Sequence, residues 1–240
     1  MTGLLTERLR QASDNAIALW STLARARGDH VADHPDFAVI DGRRFRIMLR
    51  TATPGDDAVE ELTELAKARR AEGRAVVVED PFGVLDLGAA GMTAGQLPVM
   101  AREPGPVPAP EGVARVRTAA GLAAAEELVV HGFPLEEYQP YRPGTVFPPG
   151  LLEQATAFFR KDSQGDTQGA CLTMAHGGVG GVYWVTTRPE HRSKGVGRAL
   201  MHAVLRHFED VPVTLTASRS GRPLYDKLGF VGLGEAGWWR

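Results

Sequence analysis

Residues Arg188–Leu200 read "RPEHRSKGVGRAL". A strand-like run, "GVYWVTT", precedes this stretch. A helix-like run follows it, with Leu200, Val204 and Phe208 four residues apart and Met201 and Leu205 flanking them. Gly195 and Gly197 therefore open a helix, although glycine loses more backbone entropy on ordering than any other residue. A bound anion would offset that penalty. The first amides of a helix lack intrahelical acceptors and carry partial positive charge, and glycine lets a phosphate approach without a Cβ clash. Arg192 and Lys194 add charge at the same place.

The wider chain narrows the ligand. A dinucleotide fingerprint needs a third glycine three residues after Gly197, where Leu200 stands. The GxxxxGK[ST] and HExxH patterns are absent. "GGVGG", residues 177–181, lies between two strand-like runs and precedes no helix, so it reads as a hairpin turn. Cys171 is the only cysteine, which excludes an intramolecular disulfide and a Cys-rich zinc site. Of the 240 residues, 43% are hydrophobic and 23% charged, ordinary for a globular protein. A net charge of −2 offers no basic surface for nucleic acid or acidic membrane. No apolar run approaches the roughly 20 residues that cross a bilayer. The first twenty residues lack the pattern of a secretion signal, so a reduced, cytoplasmic setting is expected.

Outward from the glycine stretch, Leu4–Arg27 reads as an amphipathic helix, and "FAVIDGRRFRIMLRT" as two strands about Asp41-Gly42. "TPGDDAVEELTELAKARRAEG" carries helix start and stop signals. "RAVVVEDPFG" and "QLPVMARE" read as strands. "EPGPVPAPEG" has four prolines in ten residues and reads as a linker. Beyond it, "VARVRTA" predicts a strand, and "AAGLAAAEELVVHGF" a helix ending near Gly132. A Pro- and Tyr-rich loop comes next, then a helix through "LLEQATAFFRK". "GACLTMAHGG" and "GVYWVTT" form a hairpin, "VPVTLTA" a strand, "GRPLYDKLG" a short helix and "GEAGWW" a last strand. The order is mixed α/β. The expected division is an N-terminal α/β module over 1–102, a linker over 103–112 and a second module over 113–240.

R-x-x-G-x-G after a strand resembles motif A of the GNAT superfamily of acetyl-CoA-dependent N-acetyltransferases. "SRSGRPLYDKLGF", Ser218–Phe230, resembles that family's motif B, usually Asn-x-x-Ala-x-x-x-Tyr followed by Leu-Gly-Phe. Two motifs in order, with an apolar helix and a strand between them, are far more specific than a lone glycine turn. The resemblance covers about Val113 to Trp239. The first hundred residues resemble, at most, a degenerate half-module of the same kind.

The resemblance implies a central, mostly antiparallel, splayed sheet flanked by helices. It implies that acetyl-CoA is the co-substrate. Its pyrophosphate would lie on the turn formed by Arg192, Ser193, Lys194, Gly195, Val196, Gly197 and Arg198, and its arm would pair with Val185, Thr186 and Thr187. A strand N–H would polarise the thioester carbonyl. Tyr225 matches the acid that protonates the departing thiolate. Ser218 and Gly221 stand where Asn and Ala are usual, so a contact to the coenzyme arm at Ser218 is weakened or remade. No Asp or Glu lies on "GVYWVTT", where many members keep a base. Glu136, Glu137, His131 and His176 are the alternatives. The loop with Glu136, Glu137, Tyr138 and Tyr141 would wall an acceptor pocket suited to a cationic or partly apolar amine. The acceptor is expected to be a small-molecule or peptide amine, with no nucleic-acid or membrane partner, and the protein a monomer or homodimer. The missing strand carboxylate also suits a non-catalytic acyl-CoA sensor or interaction module.

Overall fold

The computed structural model describes residues 2–133 and 135–240; Pro134, in the expected acceptor loop, lies outside them. Two compact units emerge, one of residues up to 101 together with 214–240, the other of residues 102–213. This differs from the expected division in the place of the last 27 residues, and strand pairing gives the reason. The C-terminal strand β11 (Val231–Trp239) runs antiparallel between β4 (Val76–Asp80) and β5 (Ala94–Arg102), with Trp238 opposite both Glu79 and Gly95.

The first unit also holds α1 (Thr2–Arg27), β1 (His30–Asp33), β2 (Phe37–Asp41), β3 (Phe45–Leu49) and α2 (Asp56–Ala71). Its strands follow the order β1-β2-β3-β4-β11-β5. β3 and β4 are parallel, joined by the α2 crossover, and the other registered pairs are antiparallel. Alternation divides β2 and β3 between two cores. Ala38, Ile40 and Met48 pack with Ile17 and Ala24 of α1, whereas Phe37, Phe45, Ile47 and Leu49 pack with Ala58, Leu62 and Ala66 of α2. Helices on both faces explain why both faces of these strands are mostly apolar, Arg46 and Asp41 being the exceptions.

The second unit contains β6 (Val113–Arg115), α3 (Ala119–Gly132), β7 (Thr156–Lys161), β8 (Thr167–His176), β9 (Val179–Thr187) and α4 (Val196–His207). Its antiparallel strands follow the order β6-β7-β8-β9. Thr118 caps α3, its hydroxyl accepting from the Gly121 N–H at 3.1 Å. The β8–β9 turn uses Gly177 and Gly178 with φ of 63° and 77°, the backbone that a tight two-residue hairpin requires.

The helix expected through "LLEQATAFFRK" does not form. A 3₁₀ turn takes Leu151–Glu153, and Thr156–Lys161 is β7. Phe158 faces Arg115 of β6 on one side and Cys171 of β8 on the other, so both ladders hold this stretch extended. The short strand β1 was not anticipated. After the second unit, β10 (Val213–Thr216) and α5 (Arg222–Lys227) complete the chain with β11.

Candidate active site

The glycine stretch is a strand–turn–helix corner. β9 ends at Thr187, a 3₁₀ turn covers Pro189–His191, and α4 begins at Val196. Ser193 adopts φ 60° and Gly195 φ 79°, left-handed values that bend the chain back into the helix. At Gly195 the conformation itself calls for glycine, since L-residues pay roughly 1–2 kcal/mol there. The first α-helical bond at this end runs from the Ala199 N–H to Gly195 O at 3.0 Å. The amides of Val196, Gly197 and Arg198 therefore precede the helix's own acceptors. No side chain caps them and the first turn holds no acid. Arg192, Ser193, Lys194 and Arg198 are exposed around them. Backbone N–H groups and cations with no carboxylate among them are the chemistry that suits an anion.

In the first unit, the comparable strand–turn–helix corner between β3 and α2 has the opposite chemistry. Asp56 and Asp57 occupy the first turn of α2, and the Gly55 N–H donates to Asp36 Oδ2 at 3.1 Å. Carboxylates already occupy the positive end of that helix, so an incoming phosphate would meet like charge.

β9 is interrupted before the corner. Leu172 lies opposite Tyr183 and Ala170 opposite Thr186, so two steps on β8 match three on β9. Trp184, with φ 50°, sits in this bulge, one residue before Val185. A bulge releases backbone groups from the ladder and turns the strand. The Trp184 ring packs against Phe147 at 5.5 Å between centroids. Burial pushes the neighbouring Tyr183 hydroxyl well above the usual phenol range.

A cavity of about 240 Å³ lies beside the end of β9. It gathers Thr186, Thr187 and Arg192 with residues that the sequence did not single out as a group, among them Glu127, Arg188 and Glu190, and also His131. His131 Nδ1 lies 2.8 Å from Glu127 O. Gly132 brings the end of α3 hard against β9, because a Cβ there would fall 2.3 Å from Thr186 Cγ2.

The loop after α3 is held by a residue that the sequence does not reveal. Glu126 is fully buried, and its Oε1 accepts from the N–H groups of Val146 and Phe147 at 2.6 and 3.0 Å. Its Oε2 accepts from the Gly144 N–H at 2.6 Å and the Tyr141 hydroxyl at 3.3 Å. Tyr141 also donates to Ala123 O at 3.0 Å, and burial followed by the Glu126 charge raises its pKa. Its hydroxyl is thus committed to α3, while its ring stands edge-on to His131 at 5.8 Å. Glu136, Glu137 and Tyr138 form a separate 3₁₀ turn and do not line the cavity.

Ser218 and Tyr225 belong to the other compact unit. Ser218 Oγ accepts from the Gly221 N–H at 3.1 Å at the start of α5 and lies 3.2 Å from Ser220 Oγ. Tyr225 is 8% exposed and packs edge-on to Phe230 at 5.8 Å. Among the described residues no cluster of three or more His, Cys, Asp or Glu could hold a metal ion.

A family model described as "Acetyltransferase (GNAT) domain" matches residues 150–237. No curated protein matches the chain. Among solved structures, a GCN5-related N-acetyltransferase from Kribbella flavida is 21% identical with a TM-score of 0.68, covering 98% of this chain and 94% of its own. A putative GNAT-family acetyltransferase from Novosphingobium aromaticivorans is 16% identical with a TM-score of 0.60, covering 94% and 96%. A tandem GNAT protein from the clavulanic acid biosynthesis pathway is 16% identical with a TM-score of 0.52, covering 85% and 77%. At these identities the structural likeness concerns the fold.

Proposed function

We propose that this chain, whose residues 150–237 match a GNAT acetyltransferase domain, is a GNAT-superfamily enzyme that transfers an acetyl group from acetyl-CoA to a primary amine of a small molecule or peptide. One observation carries the reading: the β9–α4 corner presents uncapped amides, three cationic side chains and no carboxylate in the first helical turn. That chemistry suits a pyrophosphate. Acetyl-CoA would supply the activated acetyl group. Arg192, Ser193, Lys194, Gly195, Val196, Gly197 and Arg198 would hold its phosphates, and Val185, Thr186 and Thr187 would pair with its arm. The bulge at Trp184 supports an oxyanion role for a β9 amide, since it takes backbone groups out of the ladder at that point. Tyr225 is the proposed acid for the thiolate, on its motif position, and Ser218 a proposed coenzyme contact. Glu136, Glu137 and Tyr138 remain proposed acceptor contacts, with Tyr141 acting through its ring because its hydroxyl is bonded to α3. The reading takes the protein as cytoplasmic and as a monomer or homodimer; no described helix is long and apolar enough to cross a membrane.

Calorimetric titration with acetyl-CoA, with NAD as control, tests the reading. Micromolar affinity, about −8 kcal/mol, is expected for acetyl-CoA alone. Gly197→Glu places a carboxylate among the amides and should abolish binding while the chain stays folded. If acetyl-CoA does not bind, the enzyme reading falls. A second reading, a non-catalytic acyl-CoA sensor, is favoured by the lack of any Asp or Glu on β9. It requires binding without turnover across a broad amine panel.

A further inference from the structure

We infer that His131 is the general base of this transfer, its Nε2 taking the proton that the acceptor amine loses; the inference rests on the acetyltransferase reading above. The sequence leaves four alternatives, and the geometry separates them. His131 lines the cavity beside Thr186 and Thr187. His176 sits at the far end of the β8–β9 hairpin, where it faces Val179. Eight residue steps along β9 separate Val179 from Thr187, about 25 Å of extended chain. Glu136 and Glu137 lie on the 3₁₀ turn outside the cavity lining.

The imidazole is also held in the useful tautomer. Nδ1 stands 2.8 Å from the main-chain oxygen of Glu127, and a carbonyl can only accept. Nδ1 therefore carries the hydrogen, and the neutral ring keeps its lone pair on Nε2. The exposed ring has two orienting contacts, the Nδ1 bond to Glu127 O and the edge of Tyr141. Gly132 allows the helix end to touch Thr186, and Tyr141, itself tied to Ala123 O at 3.0 Å, packs edge-on against the imidazole. Charged groups around it come from both elements bounding the cavity: Glu127 from α3, and Arg188, Glu190 and Arg192 from the segment after β9. Glu127 and Glu190 are rival bases by position, but a carboxylate is ordinarily a weaker base than imidazole by about two pKa units.

In the step, the amine nitrogen bonds to the acetyl carbonyl carbon and the carbon–sulfur bond breaks. The electron pair leaves on sulfur, the nitrogen's proton passes to His131 Nε2 and then to solvent, and the thiolate takes a proton from the acid or from water.

The test uses the full chain and its His131→Gln and His131→Ala variants, with thiol release from acetyl-CoA measured over a panel of primary amines. The expected loss in kcat/KM is about 100-fold or more. The acidic limb of the pH–rate profile should disappear, added imidazole should restore part of the rate in His131→Ala, and acetyl-CoA affinity should be unchanged. Rates within threefold of the parent, with the same acidic limb, would overturn the assignment. So would a rate loss that imidazole does not rescue and that tracks a loss of acetyl-CoA affinity. Should acetyl-CoA bind but no amine in the panel react, ¹⁵N spectra of histidine-labelled protein decide: the hydrogen must reside on Nδ1 of His131, and an Nε2–H tautomer refutes the role. Absence of acetyl-CoA binding in the parent overturns the acetyltransferase reading itself, and this inference with it.

Discussion

Replacing Glu126 by alanine tests how the loop after α3 is held. The carboxylate is fully buried and satisfies the N–H groups of Val146, Phe147 and Gly144. Two of those donors, on Val146 and Phe147, belong to buried residues, and Glu126→Ala leaves both without an acceptor. An unsatisfied buried donor costs about 1–3 kcal/mol, so the pair costs about 2–6 kcal/mol. That cost is met locally by opening the 141–147 segment, because the segment can return its amides to water. Glu126→Gln should be milder. Its carbonyl oxygen can still accept from Val146 and Phe147, while its NH₂ meets the Gly144 N–H donor against donor, and the Tyr141 hydroxyl can turn to accept. Native-state hydrogen exchange at the three amides reads the effect directly. At 1.4 kcal/mol per tenfold, Glu126→Ala should speed exchange there by about 30-fold or more, with Glu126→Gln between parent and alanine. Exchange within threefold of the parent at all three amides would refute the anchoring role. Because Phe147 packs on Trp184 and Tyr141 on His131, the freed loop should also lower activity.

Other outcomes are open to direct measurement. Tyr225→Phe should slow thiol release from acetyl-CoA by at least about tenfold and leave coenzyme affinity nearly intact; an equal loss of both would count against the acid role. Desolvation holds the His207 imidazole below its ordinary value, and Arg115 pushes the same way. The unfolded chain then binds that proton first as pH falls, so this contribution to stability is full above about pH 6.5 and is lost below it. The thermal midpoint should drop between about pH 7 and pH 5, less so in His207→Gln, and an identical drop in the variant would remove His207 as a cause. Burial pushes the Cys171 thiol up to about 12, so iodoacetamide should modify it only when the chain unfolds; rapid labelling of the folded protein would contradict that.

The parts of this molecule that were legible in the sequence are those whose determinants are local. The hairpin turn at Gly177-Gly178 and the corner at Gly195 need left-handed backbone, and glycine marks both places in the text of the chain. α1 and α2 announce themselves by apolar spacing over several turns. The failures share a different cause. In "LLEQATAFFRK" the apolar residues fit a helical period as well as a strand, and only pairing with β6 and β8, about forty residues earlier on the one hand and a hairpin away on the other, decides for β7. β11 looks like the last strand of the module that precedes it, yet its partners are β4 and β5, over a hundred residues earlier. The bulge at Trp184 carries no glycine or proline to mark it, and Glu126 looks like one more polar residue on a helix until the loop folds onto it.

The same distinction bears on why one strand–turn–helix corner, and not the other, is the candidate coenzyme site. The corners between β3 and α2 and between β9 and α4 share an architecture: each places the start of a helix at the end of a strand. Architecture alone would make both of them anion sites, since every helix N-terminus exposes amides. Sequence separates them. At α2 the chain supplies its own anions, Asp56 and Asp57, and Asp36 occupies the Gly55 N–H. At α4 it supplies Arg192, Lys194 and Arg198 and leaves the amides open. The chain should therefore bind acetyl-CoA at one site per molecule. A calorimetric stoichiometry near two would mean that the acidic corner also accepts a phosphate, and the electrostatic argument for the α4 corner would fail with it.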